Sequence, residues 1–197
     1  LLGAEQSGYM RTGGYDMYLQ LLEDAVLEEQ GKKKAVSTEC SADLTISANI
    51  PDRYVSSNEQ RMDLYRRIAA IRTEADAADL LDELLDRYGE PPKPVYALLD
   101  VALLRANAVR AGVSEIVQRG NSLRMVIADF KPEALAAICS SPKYRQRLKL
   151  AAGDVPALTL ALTGKEPALE TALTLVEDLR LASEGREMPE KVKKQIT

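Results

Sequence analysis

Four carboxylates within eight residues, Asp79, Asp82, Glu83 and Asp86, come nearest to a chemical constellation in this sequence. Paired acids on a helix, such as Glu83 and Asp86, could serve as a general acid and base. Set on the polar flank of a helix with Arg87 among them, they read first as a solvated face. The sharper alternative is a docking stripe, because several acceptors on one rigid helix suit an arginine fork. Little else supports catalysis. The chain has no histidine, which removes a Ser-His-Asp triad and an H-E-x-x-H metal helix. Cys40 and Cys139 lie in unrelated stretches and are expected to be reduced, partly buried thiols, not a disulfide or a zinc site. Thr163-Gly164-Lys165-Glu166 contains a Gly-Lys pair, but a phosphate-binding loop needs glycine where Thr159 stands and Ser or Thr where Glu166 stands. It reads as a turn. The expectation is a chain without catalytic, cofactor-binding or metal-ligating residues.

A second constellation is basic. Arg61, Arg66, Arg67 and Arg72 fall outside or at the flank of a predicted helical stripe and could track a phosphate backbone. Against them stands a net charge of −4 and a sequence pI near 5.1, so nucleic-acid binding would need a local patch. Lys32-Lys33-Lys34 and the tail lysines Lys191, Lys193 and Lys194 read as solvated charge in a linker and a frayed end. With 46% hydrophobic residues in 197, a sizeable core is expected. No basic-then-apolar leader and no apolar run approaching the roughly 20 residues of a membrane span appears, so a cytoplasmic protein without membrane contact is expected.

The elements that must position these residues follow from periodicity. After a glycine-punctuated start, Met17, Leu21, Ala25 and Tyr18, Leu22, Val26 predict a long helix closed by Gly31. Residues 1–31 therefore form one segment, 32–41 a polar linker, and 42–184 the main domain. A charged, flexible tail follows at 185–197. Leu44, Ile46 and Ala48 alternate as a strand would. Ser56 and Ser57 precede Glu59 and Gln60 at capping-box spacing, opening a helix through Leu64, Tyr65, Ile68 and Ile71. Thr73 with Asp76 caps a second helix, striped by Ala77, Leu80, Leu81, Leu84, Leu85 and Tyr88 and stopped by Gly89. Val95, Leu98, Leu99, Ala102, Leu103 and Ala106 mark a third, ending at Gly112. The period then changes to two: Val113–Arg119 and Ser122–Ile127 form a hairpin about Gly120-Asn121. A short helix opens at Lys131-Pro132-Glu133. Strands at 146–150 and 156–162 and a last helix from about Pro167 to Ser183 complete an α+β fold. It comprises about three helices, then a small, mostly antiparallel sheet with two more.

Several separated stretches resemble one family. Leu1-Leu2-Gly3-Ala4-Glu5-Gln6-Ser7-Gly8 is similar to the end of the motif that couples ATP hydrolysis to DNA movement in transcription-repair-coupling factors and in the helicase RecG. Gly14-Tyr15-Asp16-Met17-Tyr18 with Leu21-Leu22-Glu23-Asp24-Ala25-Val26 resembles the coupling factors in particular. So do Asn49-Ile50-Pro51-Asp52-Arg53-Tyr54-Val55, Arg61 with Leu64-Tyr65-Arg66-Arg67-Ile68-Ala69, and Leu84-Leu85-Asp86-Arg87-Tyr88-Gly89 with Pro92 and Pro94. The resemblance runs to about Ile116 and is weaker beyond. It implies the end of a translocase module over 1–31 and a regulatory terminal domain over 42–184. That domain would mask the N-terminal region that recruits the repair protein UvrA until the motor engages stalled RNA polymerase on double-stranded DNA. Glu83 and Asp86, with Asp79 and Asp82, are the contacts it suggests. ATP and Mg would belong to the full-length motor, whose ATP-binding motifs are absent here. The other reading is a nucleic-acid-binding accessory module using Arg61, Arg66, Arg67 and Arg72.

Overall fold

The computed structural model describes residues 39–190. The predicted N-terminal helix, most of the linker and the lysines of 191–197 lie outside the described residues. Five helices and a five-stranded mixed sheet make the α+β fold expected from the period change. The described chain falls into two compact units, one of residues 45–106, the other of residues 39–44 with 107–190.

The first unit is helical. Its helix α1, Asn58–Ala69, starts where the Ser57 side chain accepts from Gln60 N at 3.3 Å, and it buries Leu64, Tyr65, Ile68 and Ala69. Helix α2, Glu74–Tyr88, has a complete capping box: Asp76 N donates to Thr73 Oγ1 and Thr73 N to Asp76 Oδ2, both at 3.1 Å. Two of the helix's orphan donors are satisfied reciprocally. The predicted stripe is narrower in the fold. Ala77, Leu80 and Leu84 are buried, whereas Leu85 is 38% exposed. Gly89 ends α2 at φ 81°, and the Tyr54 hydroxyl lies 2.8 Å from its carbonyl and 3.2 Å from that of Leu84. Helix α3, Lys93–Arg110, is buried beyond a single stripe, since Val101, Leu104 and Arg105 are buried beside Val95, Leu98, Leu99 and Ala102. The change of unit falls inside this helix, after Ala106.

The second unit holds the sheet, in the order β1-β2-β3-β5-β4. Strand β1 is Ser41–Asp43 and runs parallel to β2, Val113–Arg119. It lies ahead of the predicted Leu44, Ile46, Ala48 strand. Leu44 and Ala48 are indeed buried, but Asn49 N donates to Pro94 O at 3.1 Å and Ile50 N to Tyr65 Oη at 2.9 Å. The alternation recorded burial, not a ladder. Strand β3, Ser122–Ile127, pairs antiparallel with β2 across the Gly120-Asn121 turn. Helix α4, Pro132–Ser140, has proline in its first turn. Strand β4, Leu148–Ala151, starts two residues later than predicted, after Gln146 at φ 68°. Strand β5 is Ala157–Ala161, and helix α5 is Ala168–Ser183. Gly112 is required where it stands: φ is 79°, and a Cβ would lie 1.9 Å from Asp129 O. The first residues of the predicted tail are bonded, Gly185 N to Ala182 O and Arg186 N to Leu181 O.

Candidate functional site

The capping box and the Gly89 stop hold α2 at both ends, so the backbone positions along it stay fixed relative to one another. At 3.6 residues per turn, Asp79, Asp82, Glu83 and Asp86 share an arc of about 100°. The four are not equivalent. Glu83 is tied to Arg67 of α1 by a short charge-assisted hydrogen bond and faces Arg87 at 3.6 Å. The Arg67 bond holds the Glu83 carboxyl below its ordinary range, and the same bond raises the Arg67 guanidinium. Asp79, Asp82 and Asp86 are exposed, and none has a bonding partner among the described residues. Leu85, about 60° beyond Asp82 around the helix, adds exposed apolar surface next to them.

Beside this arc a groove of about 440 Å³ opens between α1 and α2. Ala70, Ile71 and Leu80 form its apolar lining, and Asp76, Asp79, Glu83 and Arg67 its charged lining. Asp76 is held below the ordinary carboxylate range, chiefly by the backbone amide of Arg72 at 2.9 Å and then by Thr73. Its charge therefore serves the helix start.

The four arginines are not brought together as one patch. Arg61 donates to the carbonyls of Val55 (2.7 Å) and Ser56 (3.2 Å), pairs with Asp52 at 3.3 Å and bonds Asn58. Arg72 donates to Ala69 O (2.8 Å) and Ile71 O (3.0 Å), closing the end of α1. Arg67 holds Glu83. Arg66 alone of the four is exposed without a partner among the described residues.

Three further features concern chemistry. Glu166 accepts from Thr163 N at 3.1 Å and pairs with Arg147, and Gly164 takes φ 54°, so the Gly-Lys stretch is a locked turn. No disulfide joins Cys40 and Cys139, and burial pushes the Cys139 thiol up. The third is almost silent in sequence. Asp178 on α5 is 1% exposed, 2.8 Å from Lys143 Nζ and accepting from the Tyr144 hydroxyl. Lys143 also donates to Pro189 O at 2.9 Å. Burial first, then Asp178, lifts the Tyr144 hydroxyl far above its ordinary value. A helical aspartate amid leucines carries a weak sequence signal, and only its partner from a distant loop explains it. Among the described residues no group of three or more His, Cys, Asp or Glu could hold a metal ion, and no helix is long and apolar enough to cross a membrane.

The family model of the TRCF domain matches residues 44–138. A transcription-repair-coupling factor of Staphylococcus epidermidis is 31% identical over 148 residues, covering 74% of this chain and 12% of that protein. One from Staphylococcus aureus is 28% identical over 193 residues, covering 94% of this chain and 16% of the relative. The chain thus spans less than a fifth of the length of these relatives. A crystal structure of the C-terminal domain of a transcription-repair coupling factor matches with a TM-score of 0.62 at 23% identity, over 78% of this chain and all of that one.

Proposed function

Because the chain belongs to the transcription-repair-coupling-factor family and contains its TRCF domain, we propose that it acts by contact, as a regulatory domain of a longer protein. In this reading it masks the region of that protein that recruits UvrA, and it releases the mask when the DNA translocase engages stalled RNA polymerase. Residues 1–31 would be the end of the translocase module. ATP and Mg would be handled by the motor elsewhere in the protein, and this stretch would take no cofactor.

The observation that carries the proposal is the outward acidic arc of α2. Exposed acids without internal partners on a doubly capped helix can accept basic side chains with little reorganisation of the helix. In this reading the four contacts have different tasks. Asp82 and Asp86 face outward for a basic partner, Asp79 overlooks the groove, and Glu83 is positioned by Arg67 and Arg87. The nucleic-acid reading draws little support, since Arg61, Arg67 and Arg72 already serve the unit itself.

The test is charge reversal in the full-length protein. Asp82→Lys with Asp86→Lys should expose the recruiting region and raise UvrA capture several-fold without nucleotide or polymerase. Capture equal to that of the unaltered protein would overturn the proposal.

A further inference from the structure

One face of the sheet, Ala157 apart, is left largely open among the described residues and plays no part in the proposal above. Side chains alternate across a strand, so the register assigns each residue to a face. Ile116, Leu123, Met125, Leu158 and Leu160 share one face and are wholly buried. On the other face, Val117, Arg124, Thr159 and Lys149 form a row across β2, β3, β5 and β4. Arg119 lies in the adjoining row, opposite Ser122. Arg119, Arg124 and Lys149 are exposed, and none has a hydrogen bond or ion pair among the described residues.

This face is polarised. Its acids, Asp43 and Glu115, lie on β1 and β2, toward the edge away from β4. Arg147, just before β4, is neutralised by Glu166 at 2.5 Å. The cations of β3 and β4 therefore stand over a floor of Thr159, Ser122 and Ala161, small side chains that leave the backbone approachable.

We propose that the outer face of β3, β5 and β4 docks an acidic helical segment of a partner polypeptide, with Arg124 and Lys149 each taking a carboxylate. Two strand spacings separate these residues, roughly 9.5 Å. Two carboxylates seven positions apart on a helix are about 10.5 Å apart, so one helix laid across the strands reaches both cations. Arg124 can bind its carboxylate in a bidentate fork, Lys149 as a point charge. Nucleic acid fits less well. The face carries no aromatic ring on which a base could stack, and three cations on a chain of net charge −4 fall short of the 6 to 10 or so phosphate contacts that a duplex-binding surface makes.

The test uses the whole chain and fluorescence anisotropy. The probe is a fluorescein-labelled, alanine-rich helical peptide with glutamates seven positions apart; its glutamine counterpart and a labelled DNA duplex run in parallel. The acidic peptide should bind, and the glutamine peptide at least ten-fold more weakly. Arg124→Glu with Lys149→Glu should lower peptide affinity at least ten-fold, whereas Arg53→Glu on the helical unit should not. The altered side chains are exposed, and thermal melting checks the fold; Arg124→Gln with Lys149→Gln replaces the pair if the reversal unfolds. Absence of peptide binding, binding that the variants leave unchanged, or tighter binding of the duplex would each overturn the proposal.

Discussion

Asp86 and Asp178 are both helical aspartates, and the two units treat them in opposite ways. On α5 most positions are buried and none is exposed, the buried ones including Leu169, Ala172, Leu175, Val176 and Leu179. A carboxylate there must bring its own partners, and Asp178 has Lys143 and Tyr144. On α2 the buried stripe is only Ala77, Leu80 and Leu84 wide, so the remaining acids meet water and are available to another molecule. The difference teaches that an acid's role follows from how much of its helix the core surrounds. A buried charge is a structural commitment, whereas an exposed one is an option for binding.

The sharpest way to break this contrast is Asp178→Ala. It removes the acceptor of the buried Tyr144 hydroxyl and leaves the Lys143 ammonium with Pro189 O but no counter-charge, and it should cost about 3–5 kcal/mol, read by urea denaturation with circular dichroism. A loss below about 1 kcal/mol would place Asp178 with the surface acids. Next comes the cap that makes α2 rigid. Thr73→Ala removes the acceptor for Asp76 N and should cost about 1 kcal/mol, with faster amide exchange in the first turn of α2.

A smaller effect appears at high pH. Burial, then Tyr96 and Glu90, pushes Tyr54 from 10.0 up to about 12. The folded state thus favours its protonated form, so the stability it contributes is complete below pH 10.0 and is lost as pH rises toward 12. Tyrosinate absorbance should show a component rising near pH 12 that Tyr54→Phe removes, while Tyr144 titrates later still. At low pH the sign reverses for Glu83. Its lowered value means that its contribution is complete above 4.5 and fades as pH falls below that. Smallest of all, Asp82→Lys with Asp86→Lys should change stability by less than about 0.5 kcal/mol, while altering UvrA capture in the full-length protein. A stability loss near that of Asp178→Ala would erase the distinction between the units.

Much of the local structure was legible in the sequence. Thr73 with Asp76, the Gly89 stop, the Gly120-Asn121 turn and Pro132 in the first turn of α4 each act through neighbours within a few residues. The acidic stripe could be read too, since helical spacing alone puts Asp79, Asp82, Glu83 and Asp86 on one arc. The Leu44 to Ala48 segment misled because alternation reports burial and carries no information on backbone pairing. The arginines were open for a related reason: Arg61 and Arg72 bond nearby carbonyls, yet a basic cluster in sequence looks the same whether its charges turn outward or back onto the chain.

By itself, then, the sequence determined the helices and their caps, the hairpin, the α+β class and the family. These rest on residue type, short spacing and ordered motifs, all of which exist in one dimension. Only the tertiary structure decided that Glu83 is engaged by Arg67 while Asp82 and Asp86 face outward. It also decided that Asp178 is buried against Lys143, and that Arg124 and Lys149 share one open sheet face. Those outcomes depend on pairs 16 to 35 residues apart, such as Arg67 with Glu83 and Lys143 with Asp178, or on strand register. A charge's partner across such a distance is set by packing, which brings the side chains together and excludes water from between them.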